Sequence, residues 1–301
     1  MSVFGDSAGL ADQTSSNSYP NIAESYQADG QRILSEAGCE MQDVKQQISC
    51  LRGLPDSSLV NLAAAIYQVV QDGKYVNTSD LDLIRNGRST AHVPVIQGIA
   101  AEAGASLIRY PSEDIQSELD GIQEALGLSI TQAIRIFDSG LFPSPSTGNI
   151  TFDSYSIAQR VATDKHIRCP NQALVYAGAF SGGLKSSYYY EIQQTISGSI
   201  IPYVFGNLGT SWTSLDLDNA QLISSYFAEF IRSGQPNPNP QYLAARGHEI
   251  TLDVVNAFDP WEPVLDSKGP IHILDFPPQK GSFQDLEQCE FLGLPIDYLL
   301  S

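Results

Sequence analysis

Three features of the chain predict an α/β fold. Short apolar runs at Val93-Pro94-Val95-Ile96-Gln97-Gly98, Ser187-Tyr188-Tyr189-Tyr190-Glu191-Ile192 and Ile271-His272-Ile273-Leu274-Asp275-Phe276 have the length and composition of strands. Stretches with apolar residues at helical spacing lie between them, so strands and helices alternate. Ser7 sits in Gly5-Asp6-Ser7-Ala8-Gly9, a G-x-S-x-G pattern after a short apolar run. That pattern is a strand-to-helix turn that presents a serine hydroxyl above a sheet.

The chemistry of such a turn explains its residues. The serine is held in a sparsely populated backbone conformation. The flanking glycines lack a Cβ and let strand and helix approach closely. The N–H after the serine, here that of Ala8, can donate to an oxyanion. Ser7 is therefore the candidate nucleophile.

The remaining elements follow in order. Residues 10–20 are Ser/Asn-rich and read as a loop. The pattern predicts helices from Ile22 to Glu36, stopped by Gly38, and from Asp43 to Cys50. Pro55-Asp56 opens a third, with Leu59, Leu62, Ala63, Ile66, Val69 and Val70 at helical spacing and Gly73 beyond its end. After the 93–98 strand, Ser112 can cap a helix carrying Ile115, Leu119, Ile122 and Leu126. Ser129 and Gln132 form a capping box for the next. Residues 141–149 are a Pro/Ser/Gly-rich loop. Helices resume at 153–164 and 170–179. Leu217 to Ser233 carries Leu222, Ile223, Tyr226, Phe227, Phe230 and Ile231 on one stripe, with Gly234 and Pro236 as its stop. A helix near 284–291 follows the last strand. No internal repeat is visible.

Composition narrows the function classes. The net charge of −18 argues against nucleic acid and anionic membrane surfaces as partners. No apolar run reaches the length of a transmembrane helix, and no signal peptide is read before the elbow. The four cysteines, Cys39, Cys50, Cys169 and Cys289, form no CxxC and no Cys/His cluster, so no metal or other cofactor is expected. They allow two disulfides; Cys39 with Cys50 would close a loop that a helix hairpin can span. Asn77-Thr78-Ser79 and Asn149-Ile150-Thr151 are glycosylation sequons. Paired cysteines suggest an oxidising, secretory setting.

Several phrases together carry a family likeness. Phe4-Gly5-Asp6-Ser7-Ala8-Gly9 resembles the nucleophile elbow of the type-B carboxylesterases, the lipase and cholinesterase family. Ala37-Gly38-Cys39 and Cys50-Leu51-Arg52 are similar to its small disulfide loop, and Cys169-Pro170 with Cys289-Glu290-Phe291 to its late disulfide. Pro202-Tyr203-Val204-Phe205-Gly206 resembles the phrase after its catalytic histidine, and residues 227–238 resemble its late helix and exit turn. The matches keep the family's order along nearly the whole chain. The resemblance implies an α/β-hydrolase fold, pairings Cys39–Cys50 and Cys169–Cys289, a small-molecule ester substrate and hydrolysis through a Ser–Glu–His triad.

It also implies three departures. The chain matches the second half of such a protein, as one partial domain over 1–301: a truncated α/β-hydrolase fold without the early strands and one central strand. A sheet so reduced is expected to expose edges and self-associate. The acid position falls on Ala103, with Glu102 one residue early as the remaining acid candidate. The histidine position falls on Ser197, and serine cannot act as a general base near neutral pH. The four histidines, His92, His166, His248 and His272, lie outside the loop after residue 192 and are expected to be structural, the last two beside late strands. The expected reading is a carboxylesterase-family protein of doubtful activity. The alternatives are a non-catalytic binding protein, a fragment of a longer esterase, or a lyase-type enzyme on the same fold.

Overall fold

The computed structural model describes residues 20–62, 70–78, 93–193, 200–207, 209 and 212–300. Ser7, Ala8, His92 and Ser197 lie outside the described residues. The chain divides into two compact units, Gln13–Asp82 and Met1–Asp12 with Leu83–Ser301.

The smaller unit is helical. Asn21 forms a capping box with Glu24 at the start of α1, Ile22–Ser25. A π-turn over Tyr26–Gly30 carries the run into α2, Gln31–Glu36. Gly38, at φ +66°, turns the chain there, and the Cys39 N–H reaches back to the Leu34 carbonyl at 2.8 Å. Asp43 caps α3, Val44–Arg52, which returns Cys50 to Cys39 to close the first disulfide. The next helix, α4, is shorter than its pattern predicts. It covers Asp56–Val60, and Asn61 already leaves helical geometry; 63–69 lie outside the described residues. Among the described residues of this unit only Leu34, Cys39 and Gln47 are buried, so the disulfide supplies restraint that a small core does not.

The larger unit is built on a four-stranded sheet ordered β1-β2-β3-β4. β1, Pro94–Ala100, runs parallel to β2, Ser186–Ile192, with Gly98 beside Tyr190. β2 is parallel to β3, Ile271–Ile273, and β3 is antiparallel to β4, Gln279–Gly281, a strand the pattern misses. The long predicted strand over 271–276 shortens to three residues because the chain turns at the prolines that follow. At Gly98 a Cβ would stand 2.3 Å from the Tyr190 carbonyl, so the glycine is what lets the two strands pair with a tyrosine ring laid across them.

Helices cover the sheet. Between β1 and β2 come α5, Glu118–Leu126; α6, Ile130–Asp138; α7, Ile150–Thr163; and α8, Cys169–Phe180. Ser117, not Ser112, caps α5; Ser112 instead donates to Glu124 at 2.8 Å. The predicted break near residue 165 is absent. A π-turn over Asp164–Arg168 joins α7 to α8 in one helical run. After β2 come α9, Ile201–Phe205, and α10, Ser214–Ser233, the stripe-bearing helix. Two short helices, α11 at Pro240–Ala245 and α12 at Glu249–Ala257, occupy a region left unassigned from sequence. α13, Leu286–Phe291, closes the order.

The core follows the alternation of β2. Tyr188, Tyr190 and Ile192 pack with Leu222, Ile223, Tyr226, Phe227 and Phe230 of α10 around Trp261. Tyr189 faces the other way, onto Val175 of α8, Val264 and Phe283. His248 begins α12 instead of flanking a strand, and His272 lies within β3, inside the strand read over 271–276.

His272 belongs to the aromatic side. Its ring stacks on Trp261 at 5.1 Å and meets Tyr226 edge-on at 5.2 Å; Nε2 has no hydrogen-bond partner. Burial pushes its pKa from 6.5 down to about 4. The unfolded chain therefore takes up the proton first, and stability is lost as the pH falls from 6.5 through about 4. Between neutrality and pH 4 the wild type should lose about 3 kcal/mol more than His272→Phe, measured by urea unfolding. Equal losses in the two proteins would contradict the assignment.

Candidate functional site

Parallel strands deliver the segments that follow them to one edge of a sheet, where open α/β sheets place their sites. At that edge β1 ends at Ala100 and β2 at Ile192. The Ala101 N–H still donates to the Ile192 carbonyl at 2.8 Å, and Gln193 N–H donates to Asp275 Oδ1 at 3.1 Å. Beyond Glu102 a 3₁₀ turn, Ala103–Leu107, docks on the end of α7. Gly104 N–H donates to Thr163 Oγ1 at 3.0 Å, and a Cβ on Gly104 would stand 2.3 Å from the Thr163 nitrogen. The turn that follows β1 is thus fixed by a contact that tolerates no side chain.

A cavity of about 390 Å³ opens here. Ala101, Glu102 and Gln193 line it from the strand ends; Glu191, Arg160, Arg168 and Asp285 line it from below and beside. Glu102 is exposed on this wall at the head of the 3₁₀ turn, and its carboxylate makes no hydrogen bond among the described residues. Ala103 offers only a methyl group.

The charged side chains of the cavity form one network. Arg168 donates through Nε to Glu191 Oε1 at 3.2 Å, and through Nη1 to Asp285 Oδ2 at 2.7 Å and to Asp164 Oδ1. Asp285 also accepts from Arg160 Nη2 at 2.9 Å. Gln172 Nε2 donates to Glu191 Oε1 at 3.2 Å and to the Gln284 carbonyl at 3.1 Å. The π-turn aligns Asp164 with Arg168, and Asp285 takes a left-handed φ of +53° where it meets both arginines. The second disulfide, Cys169–Cys289, ties the segments beside these residues together.

Burial dominates the electrostatics. It raises the Asp164 pKa to about 7 against the pull of Arg168. It raises Glu191 too, again opposed by Arg168. Burial alone would lower Arg168, but Glu191, Asp164 and Asp285 outweigh it and hold the guanidinium charged. Sequence reasoning missed this network. Its signals were a lone acid inside the aromatic run Tyr188-Tyr189-Tyr190-Glu191 and an Asp/Arg pair four residues apart in a largely buried helical run.

None of the described histidines is built into this wall. His272 pairs in register with Tyr190, so it shares the α10 face, opposite Glu191. His248 lies in a separate, largely apolar groove with Phe205 and Tyr242, and His166 lies in the π-turn. Among the described residues no group of His, Cys, Asp and Glu could hold a metal ion, and no helix is long and apolar enough to cross a membrane. Both sequence-implied disulfides are formed.

A mixed sheet, parallel over its first three strands and packed with helices, with a cavity at the strand ends, has the layout of an α/β hydrolase. The model of the carboxylesterase family matches residues 13–292, and the chain belongs to that family. No curated protein matches it closely enough to add a named relative.

Truncating Arg168 leaves Glu191 and its partners buried without their cation. Arg168→Ala should cost about 3–5 kcal/mol of unfolding free energy in urea. Arg168→Lys should recover less than half of it, since a point charge cannot supply the Nε and Nη1 donors together. A cost below about 1 kcal/mol for the alanine variant would mean that the network is not structural.

Proposed function

We propose that this carboxylesterase-family chain keeps the hydrolase scaffold but does not turn over esters through a Ser–Glu–His triad, and acts as a non-catalytic binding member. The observation that carries this reading is the strand-end wall. No described histidine lines the cavity, and by the resemblance the acid position falls on Ala103. Ser197 at the histidine position, read from sequence, points the same way. A serine elbow without its base loses several orders of magnitude in rate.

One observation favours a second reading, a working ester hydrolase with Ser7 as nucleophile and the Ala8 N–H as oxyanion donor. Glu102 lies on the wall of the cavity, one residue before the acid position, with its carboxylate uncommitted. A carboxylate there could orient a base brought by another segment.

The purified chain should hydrolyse p-nitrophenyl butyrate no faster than its Ser7→Ala variant, and a fluorophosphonate should leave Ser7 unlabelled, since labelling needs an activated serine. Turnover lost in both Ser7→Ala and Glu102→Gln would establish the second reading instead.

The exposed sequons fit a secreted glycoprotein. Asn77 is exposed. Asn149 is exposed too and caps α7 through Oδ1, which glycan attachment at Nδ2 does not consume. Secretion from a eukaryotic host should give a product whose mass falls on glycosidase treatment at both sites; an unchanged mass would overturn this.

A further inference from the structure

The network beneath the cavity has a charge imbalance that its geometry makes explicit. Arg160 is matched to Asp285, and this pair is partly open to solvent. That leaves Arg168 as the cation for two deeply buried carboxylates, Asp164 and Glu191, which are 0% and 1% exposed. Two buried carboxylates sharing one guanidinium leave one negative charge uncompensated, and a protein relieves that by keeping a proton.

The hydrogen bonds say where the proton sits. Glu191 Oε1 accepts from both Arg168 and Gln172, so its ionised form is well supported. Asp164 receives one donor, from Arg168, on Oδ1; its Oδ2 is buried with no partner. We propose that Asp164 is the protonated member of the network, and that its ionisation as the medium turns alkaline loosens the clasp joining the π-turn, β2 and the segment before α13.

All the charged and titratable groups around it fit this assignment. Arg160 from α7 and Arg168 from the same turn lower the cost of ionisation, while Asp285 raises it. Glu191 and Tyr189 from β2 complete the surroundings: Glu191 shares the guanidinium, and Tyr189 is itself kept neutral by burial. The direction is the reverse of His272. An acid whose folded value lies above its ordinary 3.8 binds its proton more tightly in the folded chain. Stability is therefore lost as the pH rises toward and through about 7. For this group the clasp is tightest while Asp164 keeps its proton, below about 7. This holds whether or not it cleaves esters.

The test is thermal unfolding from about pH 6 to about pH 8.5 with every protein, the parent included, carrying His272→Phe, because the unfolded-state imidazole takes up a proton near 6.5 and would oppose the slope. In this background the parent Tm should fall by a few degrees across the window. Asp164→Asn, which mimics the protonated carboxyl, should match the parent at the acid end, exceed it at the alkaline end and show the flatter profile. An Asp164→Asn variant destabilised equally at every pH would overturn the proposal, because Asp164 would then be an ordinary ion-pair carboxylate. So would loss of the slope in Glu191→Gln but not in Asp164→Asn. Infrared spectra of the folded wild type give a readout free of variant folding. A protonated-carboxyl band should be present near pH 6 and gone near pH 8.5; its absence at both would also overturn the assignment.

Discussion

One guanidinium, that of Arg168, is shared by carboxylates from three parts of the larger unit. Asp164 is its neighbour on the π-turn, Glu191 comes from the last turn-facing positions of β2, and Asp285 precedes the final helix. The position of each segment is set by where it can reach this cation. The unbroken helical run from Ile150 to Phe180 depends on it, because the π-turn places Asp164 and Arg168 on one side. So does the exit of β2, whose buried acid would otherwise be stranded in an aromatic layer. The cavity at the strand ends is the space left above this knot.

The sheet shows a second constraint of the same kind, steric rather than electrostatic. Gly98 and Gly104 are both places where a Cβ would collide with a neighbouring backbone. The first sets how closely β1 meets β2; the second seats the turn after β1 against α7. Between them lie Glu102 and Ala103, so the start of the segment after β1 is held between two close backbone contacts.

Much of this was legible beforehand. The capping box at Ser129 and Gln132, the stripe of α10 with its Gly234 stop, and the buried strand at β1 depend on local patterns, and local patterns are what a sequence displays. The paired cysteines and the elbow phrase brought the family into view. The misses have a common cause. The run through Asp164 looked like two helices because a charged cluster interrupted the apolar spacing, and only the distant partners Glu191 and Asp285 explain why those charges are buried there. His248 was misplaced because the short helix it begins carries too little periodicity to be recognised. At the cavity, the mixed charge of the wall comes from long-range packing that no spacing encodes.

The second disulfide has a topological side. Cys169 and Cys289 are 120 residues apart, and the closed covalent ring between them contains β2, β3, β4, α10 and Trp261. β1 is the one described strand outside the ring. A single backbone cut inside the ring would leave the two pieces joined, so the halves of the main core cannot diffuse apart while the bridge stands. The chain carrying β1 has no such tether across the same sheet. Its hold on β2 rests on the ladder and the close approach at Gly98.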